Sequence, residues 1–121
     1  MFLDGASSEL RRIRRQILSI ESNIRTKIDQ VKVANKDYLS QEAISSRNNH
    51  LVLPVKAGNK NLIKGIVHAV SSSGQTMFIE PDIIVQMNNQ LVHAKDDERR
   101  EVNRILTVLS NNVKDHYDVL H

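Results

Sequence analysis

The chain has 121 residues, 40% of them hydrophobic and only 3% aromatic, with no cysteine. That length supports one modest domain, and the missing thiols exclude a disulfide framework and a thiolate metal site. The net charge of +3 is small, but no acidic residue falls between Glu42 and Glu80, where Arg47, Lys56, Lys60 and Lys64 lie together with His50 and His68. A segment of one sign creates a local positive potential, and polyanions are its natural partners.

The opening MFLDGASSEL lacks a basic head followed by an apolar run, so no secretory signal is expected. No segment reaches the roughly 18 unbroken apolar residues of a membrane span. These features predict a cytoplasmic protein with no membrane partner.

From residue 5 to about 35 the sequence predicts one helix. Ile13, Ile17, Ile20, Ile24, Ile28 and Val31 are spaced four, three, four, four and three, the seam of a helix that packs along another. Ser7 or Ser8 can cap its start and Asn35 can stop it. At 1.5 Å rise per residue the rod is roughly 45 Å long, and its stripe needs a partner. Residues 40 to 46 predict a short helical turn capped by Ser40.

The pattern then changes. HLVLPVK, from His50 to Lys56, reads as a short strand, and Pro54 places it at a sheet edge. AGNKN is turn chemistry. Leu62 to Val70 reads as a second strand, with Gly65 a bulge or a close backbone approach. Ser71 to Gly74 is a turn, and Thr76 to Ile79 a third strand ended by Glu80-Pro81. Lys56, Lys60 and Lys64 flank the first turn and are expected to project together.

Pro81 suits the first position of a second long helix and Asp82 favours its dipole. Ile84, Met87, Leu91, Val102, Ile105, Leu109, Val113 and Leu120 form its stripe. The block KDDERRE, Lys95 to Glu101, is expected to be solvated or to face something polar, with Asp96 and Arg100 as an i,i+4 pair. The whole reads as α+β: two long antiparallel helices flanking a small antiparallel β tip, with a first arm over 5–36, the tip over 47–80 and a second arm over 81–121. No glycine or proline ends the second stripe, so an excerpt of a larger protein is expected.

Catalytic signals are weak. Ser71, Ser72 and Ser73 lie near His68 and Glu80, but no Gly-x-Ser-x-Gly elbow surrounds them, and Ser-Ser-Ser-Gly is ordinary turn chemistry. Asp96, Asp97 and Glu98 are neighbours on a helix and point apart. The five histidines show no ligand spacing, so neither a metal nor a cofactor site is expected. Gly58, Gly65 and Gly74 are too far apart for a phosphate loop. Arg11, Arg12, Arg14 and Arg15 read as a solvated face whose stems cover the seam. The candidate nucleic-acid contacts are Arg47, His50, Lys56, Lys60 and Lys64, acting on phosphate without sequence preference. The rival reading is a structural coiled-coil module that dimerises and binds no polyanion.

ISSRNNHLVLPVKAGNKNLIKGIVHAVSSSGQTMFIEP, followed by NNQL and ERREVNRILTVL, resembles the second type of bacterial MutS protein, and ASSELRRIRRQI resembles that family's opening pattern. The match is carried by Leu53-Pro54-Val55-Lys56, Gly65-Ile66-Val67-His68, Ser73-Gly74-x-Thr76-x-Phe78-Ile79-Glu80-Pro81 and Asn88-Asn89-x-Leu91. The resemblance implies a homodimeric parent that binds ATP and Mg, with lever helices, a clamp and a nuclease domain. It implies partners among branched DNA and collided ribosomes (ribosomal RNA), in suppressing recombination or rescuing ribosomes. This segment corresponds to levers plus clamp-like tip and is expected to carry no catalysis itself. The family commonly has Arg-Tyr where His50-Leu51 stand, which removes a fixed charge and a ring able to stack on a base.

Overall fold

A computed structural model describes residues 8–120, with side chains described through Ser110. The fold is α+β: two long helices and one four-stranded antiparallel sheet. Helix α1 spans Ser8–Ala34, strands β1 to β4 span Ser45–Arg47, His50–Lys56, Gly65–Val70 and Thr76–Pro81, and helix α2 spans Asp82–Leu120. Two compact units divide the chain, one of residues up to Ser19 and from Leu91, the other Ile20–Gln90.

In the first unit α1 and α2 run antiparallel. Arg14 Nε bonds Glu98 Oε2 at 3.1 Å, while Glu9 and Ile13 share a shallow cleft with Glu101 and Arg104, so numbering rises along one helix as it falls along the other. Leu10, Ile13, Ile17 and Ile105 are buried, as the seam spacing requires. The charged block splits: Glu98 pairs with α1 and Glu101 is buried beside Arg104, whereas Lys95, Asp97, Arg99 and Arg100 are exposed. Within it Asp96 pairs with Arg99 and Asp97 with Arg100, one residue closer than the expected Asp96–Arg100 pair. Ser7 lies outside the described residues, and Val113 and Leu120 outside the described side chains.

In the second unit α1 buries Ile24 and Ile28, with Ile20 and Val31 half-buried. Asn35 stops it: its backbone N–H reaches the Val31 carbonyl at 3.1 Å and its Nδ2 donates to the same oxygen at 2.9 Å. The expected helical turn at 40–46 is not formed. A 3-10 turn takes Lys36–Tyr38 instead, Leu39 bridges Val55, and the Ser40 N–H donates to the Pro54 carbonyl at 2.8 Å. Ser40 thus extends the sheet rather than capping a helix.

The strand order is β1-β2-β4-β3. β1 and β2 form a hairpin in which Arg47 faces His50 across a two-residue loop. Asn48 and Asn49 both have positive φ, 54° and 67°, the requirement of the turn that matches strand twist in such hairpins. β2 is therefore an inner strand, not the edge that Pro54 suggested. The ring is tolerated because N–H and C=O of one strand residue point to the same side. The Pro54 carbonyl points to Ser40, so the missing donor lies on that side, and the pairing of Pro54 with Phe78 loses no ladder bond.

β2 and β3 do not pair. Each lies antiparallel to β4, on opposite sides of it, so the 3-10 segment Ala57–Leu62 crosses from one end of β4 to the other. β3 is the edge, and Ile66, Val67 and Val70 are about half exposed there. Gly65 is the close approach: a Cβ there would sit 2.1 Å from the Glu80 carbonyl oxygen. The bulge lies further on, between Val67 and Ala69, and its extra residue is His68. Pro81 ends β4, and α2 begins at Asp82 rather than at Pro81, with the Asp82 N–H donating to the Lys64 carbonyl at 3.0 Å.

Candidate functional site

The sheet places the five predicted residues differently from a shared turn. Lys56 pairs with Thr76 at one end of β4, while Lys64 precedes Gly65, which pairs with Pro81 at the other end. Those partners are five residue steps apart along β4, roughly 17 Å of backbone. Lys56, Lys60 and Lys64 thus do not project together; they are spread along the crossover, all exposed. No carboxylate among the described residues pairs with any of them, and Lys56 Nζ donates to the Asp37 carbonyl at 3.4 Å. Arg47 is exposed, and its guanidinium lies 4.5 Å from the centroid of the Phe78 ring, a cation–π contact that holds it over the sheet.

His50 belongs to a different constellation. Glu80, on β4, has a side chain only 2% exposed. His68 Nε2 lies 2.7 Å from Oε1, His50 Nδ1 lies 3.0 Å from Oε2, and Asn88 Nδ2 lies 2.6 Å from Oε2. An ionised carboxylate only accepts hydrogen bonds, so the facing ring nitrogens carry protons and donate. His68 Nδ1 then accepts from Asn48 Nδ2 at 3.2 Å. With His50 Nδ1 protonated, the 3.1 Å approach of Asn88 Nδ2 to it brings two donors together and is a packing contact. The two imidazoles stack with centroids 5.3 Å apart.

Local structure explains the convergence. His50 opens β2 in the pair with Arg47 and, on continuing the Leu53–Ile79 register, is a diagonal neighbour of Glu80. His68 is aimed by the bulge, a common way of redirecting one side chain out of the strand's alternation. Asn88 arrives from α2, which follows β4 directly. Burial pushes the Glu80 carboxyl up, but hydrogen bonds from His68, Asn88 and His50 outweigh it and hold the group below the usual carboxylate range.

The expectation that the histidines are scattered is corrected here: two of the five meet at one carboxylate. The sequence carried one usable signal, a glutamate inside the otherwise apolar strand TMFIEP, since a buried carboxylate must find donors. Spacing rules missed it because the three residues come from three strands. The serine turn is a turn: Ser71 Oγ accepts from the Thr76 N–H at 3.0 Å, Ser73 Oγ from Gln75, and Gly74 takes φ 75°.

No family model matches the chain. Curated relatives do. The endonuclease MutS2 of Halalkalibacterium halodurans is 43% identical over 120 residues, covering 98% of this chain and 15% of that protein. The endonuclease MutS2 of Lactococcus lactis subsp. lactis is 45% identical over 111 residues, or 92% and 14% of the two chains. That of Shouchella clausii is 46% identical over 120 residues, or 98% and 15%. The chain therefore spans about one seventh of the length of these relatives.

Proposed function

Because the chain corresponds to a segment of the MutS2 proteins, we propose that it is their nucleic-acid-engaging lever and clamp segment, meeting the phosphate backbone of branched DNA or ribosomal RNA. The observation that carries this reading is the charge of the sheet. Arg47, Lys56, Lys60 and Lys64 are all exposed, none is ion-paired among the described residues, and residues 43–79 contain no carboxylate. A distributed set of unpaired cations suits a backbone followed over some length better than a single pocketed anion. The helices would pass on nucleotide-driven motion from an ATPase elsewhere in the parent homodimer, where ATP and Mg belong. No helix among the described residues is long and apolar enough to cross a membrane.

The test is the chain with Lys56, Lys60 and Lys64 all reversed to Glu, titrated against a four-way DNA junction and a ribosomal RNA fragment in low salt. Binding is expected to disappear. Unchanged affinity for both overturns the reading. A second reading, a structural dimerisation module, is favoured by exposed Leu18, Leu106 and Val108 in the helical unit. Sedimentation separates the two: a stable dimer indifferent to both ligands supports the structural role.

A further inference from the structure

The Glu80 cluster has the composition of a metal centre as well as that of a hydrogen-bonded knot. We propose that His50, His68 and Glu80 bind one divalent transition-metal ion of the zinc type.

The three donor atoms lie within 4.8 Å of one another. Two imidazoles and one carboxylate are a recognised three-protein-ligand set for zinc, with the fourth position left to water. Ligands at about 2.1 Å in tetrahedral geometry stand roughly 3.4 Å apart. With Oε1 as the ligand oxygen, its 2.7 Å separation from His68 Nε2 opens by roughly 0.7 Å to admit an ion, and His50 Nδ1, now 3.0 Å from the other oxygen Oε2, turns toward Oε1. The ring planes, now 23° apart, turn about χ2 so that both lone pairs converge, and that torsion is soft in histidine.

The charge around the cluster and the hydrogen bonds behind it agree with the assignment. Glu80 is almost fully buried, and its side-chain partners are two imidazoles and an amide, with no lysine or arginine among the described residues. A buried carboxylate whose partners are not fixed cations is a favourable place for a positive ion. Coordination through His68 Nε2 moves its proton to Nδ1, which then needs an acceptor. Asn48 stands 3.2 Å from that nitrogen, and a half-turn of its amide presents oxygen in place of nitrogen. This is the outer-shell support that metal-bound histidines commonly have. Asn88 holds one carboxylate oxygen and leaves the other for the ion. His50, 37% exposed, provides the way in.

The experiment is calorimetric titration of the chelator-stripped chain with Zn2+, alongside His50→Gln, His68→Gln and, as control, His93→Gln. His93 is exposed and lies outside the cluster. The chain is expected to take up one ion, His93→Gln to bind as tightly, and each cluster variant to bind at least about 10-fold more weakly. Imidazole 15N shifts of the unsubstituted chain provide a reading that needs no variant: His50 Nδ1 and His68 Nε2 should move together as the first ion binds. No saturable binding overturns the proposal. So does binding that survives both cluster substitutions, or shifts confined to other histidines.

Discussion

Gly65→Ala tests whether the β3–β4 register is as tight as the structure has it. The added Cβ meets the Glu80 carbonyl oxygen at 2.1 Å, its carbon at 2.8 Å and Ile79 Cγ2 at 2.8 Å. Two of those three atoms are backbone and cannot swing aside. An ordinary carbon–oxygen contact is about 3.3 Å or longer, so β3 must move off β4 by roughly 1 Å. That weakens the rungs at Gly65–Pro81 and Ile66–Glu80, at about 1 kcal/mol each, in addition to about 1–3 kcal/mol of overpacking. The opposing term, the reduced entropy of the unfolded chain, contributes only about 0.4–1 kcal/mol. The net expectation is a loss of about 2–4.5 kcal/mol. With a urea dependence of about 1–3 kcal/mol per molar, the unfolding midpoint followed by far-UV circular dichroism falls by about 1–2 M. A midpoint that is unchanged or raised refutes the geometry, because then the backbone term alone decides the sign.

Three further outcomes follow from the same structure. The Glu80 carboxyl is held below its unfolded value near 4.5. Its contribution in the metal-free chain is therefore full above that value and is lost as pH falls through the lower folded value. Glu80→Gln should flatten that acid limb of stability measured against pH, and a limb of unchanged steepness counts against the network. Asn49, at φ 67°, should accept Gly with a gain of a few tenths of a kcal/mol, while Val there should cost about 1–2 kcal/mol; equal stability of the two variants by thermal unfolding would exclude the left-handed turn. Arg47→Ala removes the contact over Phe78 and should cost about 0.5–1 kcal/mol, a loss that Arg47→Lys restores only in part if the stacked guanidinium matters.

What could be read in advance divides along physical lines. The isoleucine seam of α1 was legible because helical burial repeats every few residues and leaves a periodic trace. Ile13, Ile17, Ile24 and Ile28 are buried as that spacing requires. The turn at Ser71–Gly74 was legible for a similar reason, since glycine and serine carry local conformational preferences. The strand pairing was not. Nothing in six turn residues distinguishes a hairpin from a crossover, because the choice depends on which distant strand lies between. β4 takes that place, and Lys56 and Lys64 separate as a result. β1 is three residues long, too short for an alternating pattern to emerge, although Asn48-Asn49 was a turn signal that could have exposed its hairpin. The Glu80 cluster hides for the deepest reason: a one-residue bulge at His68 re-aims a side chain, and no spacing rule anticipates a bulge.

The central claim, that dispersed cations on the sheet and its crossover contact nucleic-acid phosphates, is tested most directly by the salt dependence of binding. Anisotropy of a labelled four-way junction, titrated with the chain over a range of salt, should give log K falling linearly with log salt. The slope should lie between about −2 and −4, as expected if up to four phosphates are neutralised, and should shrink by about one for each of Lys56, Lys60 and Lys64 changed to Gln. A slope near zero, or one that the three substitutions leave untouched, contradicts it.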